Sequence, residues 1–327
     1  MTQETPLKIA YLMKMRPEAM AFIPDDVEPI VLHTDEQGRY QAEALAALSE
    51  VEALVVSMEP ANAQIMDACP RLRIIQRTGV GYETLDLAEA ARRGIPCCNT
   101  PGVNREAVAE HAMALLLSLA KRLRESERQL RELNWVGSRA ETAHAFELKG
   151  KTLGIVGLGN SGSSLAMRAR AFEMHILYTD IREIEAAVVE AAGAREMPLA
   201  ELLAAADVVS VNTNLNPSSR NIIDAAALAR MKPGALLICC ARGGVLDEAA
   251  VAAALHEGRL AAAGIDVFVD EPLLPDNPLL HTPNTLLTPH VAGSTAETTT
   301  RIYAWAHENV RRVLLRGERP QWVLNGV

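Results

Sequence analysis

The segment Lys151-Thr-Leu-Gly-Ile-Val-Gly157-Leu-Gly159-Asn160-Ser161-Gly162 carries the sharpest signal in the chain. Thr152–Val156 reads as a buried strand, and the GxGxxG pattern follows it directly and opens a helical run near Ser161–Ala171. Dinucleotide binding needs this spacing. Gly157 permits the tight turn, Gly159 lets backbone approach a pyrophosphate, and Gly162 lets the helix pack on the strand. The amides of Asn160 and Ser161, at the helix N-terminus, are placed to face the phosphates. Asp180 stands eighteen residues past Gly162, at the end of the next strand-like run, His175–Thr179. A carboxylate there accepts hydrogen bonds from a ribose 2′-hydroxyl and repels a 2′-phosphate, so NAD is expected over NADP. Arg182, two residues on, is placed to offset part of that repulsion. GxGxxG alone also fits a bare βα turn. The strand before it, the helix after it and Asp180 complete the binding constellation.

From this point outward the chain alternates. Strands are expected at Asp207–Val211, Ala235–Cys239 and Ala262–Val267 as well, with helices near Arg182–Ala192, Asp224–Arg230 and Asp247–Glu257 between them. Five strands in strict alternation predict a doubly wound parallel sheet. An earlier series, with strands at Leu7–Leu12, Ala53–Ser57 and Arg73–Gln76, predicts α/β structure in the first hundred residues too. Arg105–Arg122 reads as a long helix, apolar nearly all round, which belongs in a core or a subunit interface. Glu271–Pro289 holds Pro272, Pro275, Pro278, Pro283 and Pro289, and is expected to be an extended loop without a helix. Ser294-Thr-Ala-Glu297 has capping-box form and predicts a final helix to about Arg316, stopped by Gly317. That helix is free to pack back on the first domain.

Composition bounds the function. The 327 residues are 49% hydrophobic and 22% charged, an ordinary globular mix with room for two domains. The net charge of −9 argues against general binding to nucleic acid or acidic membranes. The most apolar run, Ala107–Ala120, is broken by Glu110, His111 and Ser118, and Glu4 replaces the basic start of a secretory signal. A cytoplasmic protein is expected. Cys69, Cys97, Cys98, Cys239 and Cys240 are odd in number and lack CxxC spacing, so they read as buried thiols of a reducing compartment.

Three later segments hold reactive side chains at strand ends, where open α/β sheets bind ligands. They are Cys240-Ala-Arg242-Gly-Gly-Val-Leu-Asp247, Asp266-Val-Phe-Val-Asp-Glu271-Pro272 and Thr288-Pro-His290-Val-Ala-Gly293. Singly each has a bland reading: a surface arginine, a solvated acidic run, a structural histidine. Together their residue types suit oxidation of a secondary alcohol or the reverse. Histidine serves as base or acid near neutral pH. A carboxylate beside it favours the imidazolium and orients the ring. Arginine grips a carboxylate through two hydrogen bonds and polarises an adjacent carbonyl. Hydride transfer with a nicotinamide requires no metal.

With these segments, the chain resembles the D-isomer-specific 2-hydroxyacid dehydrogenases, the group of phosphoglycerate dehydrogenases, glyoxylate and hydroxypyruvate reductases and D-lactate dehydrogenases. The likeness also covers Thr78-Gly-Val-Gly-Tyr-Glu-Thr-Leu-Asp86, Cys98-Asn-Thr-Pro-Gly102, Ala107-Val-Ala-Glu-His-Ala112 and Leu148–Gly157. It implies a Rossmann NAD domain, residues 102–290, inserted in a discontinuous flavodoxin-like substrate domain, residues 1–101 and 291–327. Arg242, Glu271 and His290 become the catalytic three, and Asp266 the holder of the nicotinamide carboxamide. Further cofactor contacts are expected at Thr213, Cys240, Ala241, Arg242, His290 and Gly293. Arg77 and the amides of Val80 and Gly81, with Asn104, are candidates to hold the substrate beside Arg242. The resemblance also implies a homodimer joined through Arg105–Arg122. Asn212 stands where such proteins commonly carry a histidine, and Leu-Ile-Cys239-Cys240 departs from their usual approach to Arg242. Two other readings remain: an NAD-sensing corepressor-like binding protein on the same fold, and a dehydrogenase of a non-carboxylate such as phosphite or formate.

Overall fold

The computed structural model describes residues 6–14, 17–35 and 37–327; Glu4 lies outside them. The chain divides into two compact units, Met1–Val103 with Thr295–Val327, and Asn104–Ser294.

In the first unit, β1 (Leu7–Leu12), β2 (Val27–Leu32), β3 (Ala53–Val56), β4 (Ile74–Arg77) and β5 (Cys97–Cys98) pair in parallel in the order β2-β1-β3-β4-β5. This is the flavodoxin-like order. β3 and β4 are buried along their whole length, as strands covered on both faces must be. The helix Ala296–Leu314 sends Tyr303, Val310 and Val313 into a core with Ile9, Tyr11, Val55 and Ile74. Its cap is Thr295, one residue later than expected, and the Thr295 hydroxyl accepts the Thr298 amide at 3.1 Å. Ser294 is instead in a turn, its amide donating to Val291 O at 2.8 Å. The helix ends at Leu314, short of Arg316.

The second unit holds β6 (Thr152–Val156), β7 (His175–Thr179), β8 (Ala194–Glu196), β9 (Val208–Val211), β10 (Ala235–Cys239), β11 (Leu260–Ile265) and β12 (Thr285–Leu287). All pairings are parallel, in the order β12-β11-β10-β9-β6-β7-β8, a Rossmann sheet with one added strand. The expectation of five strands falls short by β8 and β12, each three residues long. The proline loop also departs from expectation. It contains β12 and a one-turn 3₁₀ helix, Pro278–His281, capped by Asn277 Oδ1, which accepts the Leu279 amide at 3.0 Å. Pro278 suits that first helical position because no N–H is needed there. The helix expected from Arg182 begins only at Ala186, because the Arg182 amide donates to Asp180 at 3.0 Å.

The apolar helix Arg105–Ala120 packs within its own unit, with Val108, Ala112, Leu115 and Leu116 in one core with Leu153, Ile155 and Ile238. Polar links add to this: Ser164 Oγ donates to Glu106 at 2.8 Å, and Arg168 pairs with Glu110 at 2.8 Å. Its apolar side chains are therefore largely covered within the unit, and the positions left accessible include Arg105, Glu110 and Ala114. Exposed apolar side chains come just after it, on the helices Leu123–Arg131 and Trp135–Ala140 and between them: Leu123, Leu130, Leu133 (92% exposed), Trp135 and Val136. Among the described residues, no helix is long and apolar enough to cross a membrane.

Candidate active site

Parallel strands put all their carboxyl ends on one edge of the sheet, so the turns that follow them share that edge. In the second unit these turns carry Gly157–Gly162 after β6, Asp180 after β7, Asn212 and Thr213 after β9, Cys240–Arg242 after β10, Asp266 after β11, and Thr288–His290 after β12.

The turn after β6 is built for close backbone approach. A Cβ on Gly162 would stand 2.1 Å from Gly157 O, so only glycine lets the helix Asn160–Ala171 start against the strand. The buried Thr213 hydroxyl beside it has no hydrogen-bond partner among the described residues. An unpartnered buried hydroxyl next to a helix N-terminus and a glycine turn fits a bound dinucleotide phosphate. Asp180 closes this end. Its carboxylate accepts from the amides of Leu158 and Arg182, both at 3.0 Å, and from Arg182 Nε at 3.1 Å and Nη2 at 3.2 Å. Burial pushes this carboxyl up, but the Arg182 guanidinium and the two amides outweigh it and hold it below the usual carboxylate range. Asp180 is therefore a paired carboxylate, with Arg182, two residues on, as its partner.

The turns after β10, β11 and β12 meet around Gly243. A Cβ there would lie 1.7 Å from Phe268 O, so the glycine after Arg242 is what lets the arginine turn touch the Asp266–Glu271 segment. Arg242 Nη1 donates to Ala241 O at 2.7 Å. Glu271 bridges: Oε1 accepts the Phe268 amide at 3.0 Å, and Oε2 lies 2.6 Å from His290 Nδ1. An ionised carboxylate only accepts, so Nδ1–H is the donor and Nε2 is left to face outward chemistry. Glu248 steadies this loop, accepting from the Val269 amide at 2.7 Å and Asn277 Nδ2 at 2.6 Å. A cavity of about 300 Å³ opens beside the pair, walled by Phe268, Leu273, Leu280 and Leu287. Cys239 and Cys240 are not nucleophiles: burial pushes the Cys239 thiol up to about 12 and raises Cys240 as well.

Two of the expected contact residues are buried. Asp266 is fully buried, and its carboxylate accepts from Thr288 Oγ1 (2.6 Å), the Val291 amide (3.0 Å) and the Ala292 amide (2.9 Å). Its carboxylate holds the His290 turn. In the first unit, Arg77 is buried rather than extended: Nε donates to Gly81 O at 2.9 Å and Nη1 to Val56 O at 3.2 Å. It shapes the loop that carries Val80 and Gly81. Asn104 starts the helix Arg105–Ala120 and packs its side chain where a Cβ of Gly293 would be, 2.7 Å from Nδ2. Sequence reading gave His111, Thr288 and Glu248 no role. His111 and Thr288 carried a signal, as parts of the Ala107–Ala112 and Thr288–Gly293 motifs.

This chain belongs to the D-isomer specific 2-hydroxyacid dehydrogenase family: residues 113–292 match its NAD binding domain. It is thus an NAD-binding member of an oxidoreductase family. It is 40% identical over 280 residues to a glyoxylate reductase of Korarchaeum cryptofilum, covering 85% of this chain and 84% of the relative. It is 38% identical over 302 residues to the D-3-phosphoglycerate dehydrogenase of Mycobacterium bovis, covering 92% of this chain. The chain spans little more than half, 56%, of that relative's length. The NADPH-dependent glyoxylate/hydroxypyruvate reductase of Sinorhizobium meliloti, solved with NADP and malonate, superimposes with a TM-score of 0.82 at 32% identity, over 98% of this chain and 97% of that one.

Proposed function

We propose that this protein is an NAD-dependent dehydrogenase interconverting a D-2-hydroxy acid and its 2-oxo acid, of the glyoxylate, hydroxypyruvate or phosphoglycerate type that its relatives' names describe. The observation that carries this reading is the 2.6 Å contact of His290 Nδ1 with Glu271, on the sheet edge that also presents Arg242. Gly157, Gly159, Asn160, Ser161, Gly162, Asp180 and Thr213 would hold the dinucleotide, whose nicotinamide gives or takes the hydride. Cys240, Ala241, Asp266 and Gly293 line the same edge. His290 Nε2 then gives a proton to the substrate oxygen in reduction and takes it back in oxidation. Glu271 keeps Nδ1 protonated and the ring aimed. Arg242 binds the substrate carboxylate and draws charge from the neighbouring carbonyl. Val80 and Gly81 are the first unit's candidate donors to substrate. On this reading Asn104–Ser294 is the NAD domain and the other unit the substrate domain.

The intact His290–Glu271 pair favours an enzyme over a corepressor-like NAD sensor, since sensing needs no proton donor. We further propose a homodimer joined over Leu123, Leu130, Leu133, Trp135 and Val136, and a cytoplasmic setting, supported by five unbridged cysteines. Leu133→Glu with Trp135→Glu should give a monomer by light scattering. The reading of function is tested with a panel of 2-oxo acids and NADH. His290→Gln should lower kcat about 10²–10⁴-fold, the usual reach of a general acid, with little change in NADH affinity. Turnover within a few-fold of the parent would remove His290 from the mechanism.

A further inference from the structure

A fully buried charge must be met by donors, and Asp266 meets three. One of them, the Thr288 hydroxyl, has a single proton, and at 2.6 Å it gives that proton to Asp266 Oδ1. His111 Nε2, on the helix Arg105–Ala120, lies 2.9 Å from the same hydroxyl oxygen and 3.7 Å from Asp266 Oδ1. The hydroxyl has only a lone pair left to offer, so Nε2 must carry the hydrogen and donate it. The chain of donors therefore runs one way, from His111 to Thr288 to Asp266.

The far end of this chain is the turn that aims His290. His290 sits at φ 53°, a left-handed conformation that costs any residue with a side chain. Its own amide donates to Asp266 O at 2.7 Å, and the next two amides, Val291 and Ala292, donate to the Asp266 carboxylate. Asp266 thus holds the strained residue from both sides, and Thr288, two positions before it, is fixed by His111. We propose that His111 is a positioning residue for proton transfer: its Nε2–H orients the Thr288 hydroxyl onto Asp266 and so locks the turn from which the His290 ring projects. The proposal rests on His290 being the proton donor, and is independent of which 2-oxo acid is used.

Two experiments separate the proposal from that reading. The first needs no activity. In ¹⁵N-histidine-labelled protein without ligand, two-bond ¹H–¹⁵N correlations report which ring nitrogen is protonated, and loss of one set in His111→Gln assigns it. His111 should show a protonated Nε2; a ring protonated on Nδ1 alone overturns the proposal even if the enzyme reduces 2-oxo acids. The second is kinetic. His111→Leu and Thr288→Val should each lower kcat about tenfold or more, as displaced catalytic groups do, while KM for NADH moves less than about threefold. His111→Gln restores a side-chain N–H donor at the same reach and should recover most of the kcat. The double variant His111→Leu with Thr288→Val should be no worse than either single one, because both cut one path. Thermal unfolding of each variant checks that it is folded. A His111→Leu enzyme within twofold of the parent, or additive losses in the double variant, also overturns it.

Discussion

Cofactor choice should turn on Arg182 as much as on Asp180. A carboxylate offers about four acceptor positions, and four donors already occupy those of Asp180. Two are backbone amides and stay. The other two belong to the Arg182 side chain, which is 64% exposed while Asp180 is 5% exposed. When a ribose 2′-hydroxyl arrives, the guanidinium is the donor that yields. A 2′-phosphate instead meets the carboxylate as a like charge, at a cost on the order of 1–3 kcal/mol. Arg182 can turn to that phosphate, but an exposed pair returns only about 0–1 kcal/mol. The difference centres on about 1.5 kcal/mol, so the parent should prefer NADH over NADPH by about tenfold in kcat/KM. Arg182→Ala should widen the ratio by up to about fivefold, since NADPH loses its only new partner while NADH gains a freed acceptor. Asp180→Ser should bring the ratio near unity or reverse it. The assay is kcat/KM for both coenzymes at a saturating 2-oxo acid. An Arg182→Ala enzyme whose ratio is unchanged or narrower, or an Asp180→Ser enzyme still tenfold in favour of NADH, would refute the reasoning.

Arg242→Lys keeps the charge but loses the two-pronged grip, so KM for the 2-oxo acid should rise and kcat fall together, by about tenfold or more each; a change in KM alone would limit Arg242 to binding. In the first unit, burial, with the nearby Arg311, lowers His307 to about 4, and its Nε2 lies 2.8 Å from the Tyr11 hydroxyl. The unfolded chain takes this proton near 6.5 and the folded chain only near 4, so the contribution is complete above pH 6.5 and lost as pH falls towards 4. Between pH 7 and pH 5 the loss should be up to about 2 kcal/mol. Urea unfolding of the parent and His307→Gln at both pH values checks this; equal pH dependence in the two would remove His307 as the cause.

What could be read beforehand follows the reach of each signal. Thr152–Val156, the three glycines and Asp180 are legible because turn, helix start and acceptor lie within one βα-β stretch. Ala194–Glu196 and Thr285–Leu287 are not, because three residues make no periodicity and the first of these strands ends on exposed Arg195 and Glu196. The nearly all-apolar surface of Arg105–Ala120 says that it is covered without saying by what, and the answer is its own unit: the sheet and the helix Asn160–Ala171. Arg77 is visible as a charge, but the carbonyls it binds, Gly81 O and Val56 O, carry no sequence mark. The His111–Thr288 contact joins residues 177 positions apart, a distance over which no local pattern operates.

The left-handed backbone at His290 has a consequence for evolution of this chain as a material. A side chain in that conformation costs on the order of 1 kcal/mol or more, and glycine is free of most of that cost. His290→Gly should therefore relieve the turn, though it gives up the contact with Glu271. Because that contact is partly open to water, it returns little, and the relief of the turn offsets the greater unfolded-chain entropy of glycine, so the glycine variant should melt close to the parent. Selection for robustness alone would not favour the histidine; on the proposed mechanism, proton transfer is what would retain it.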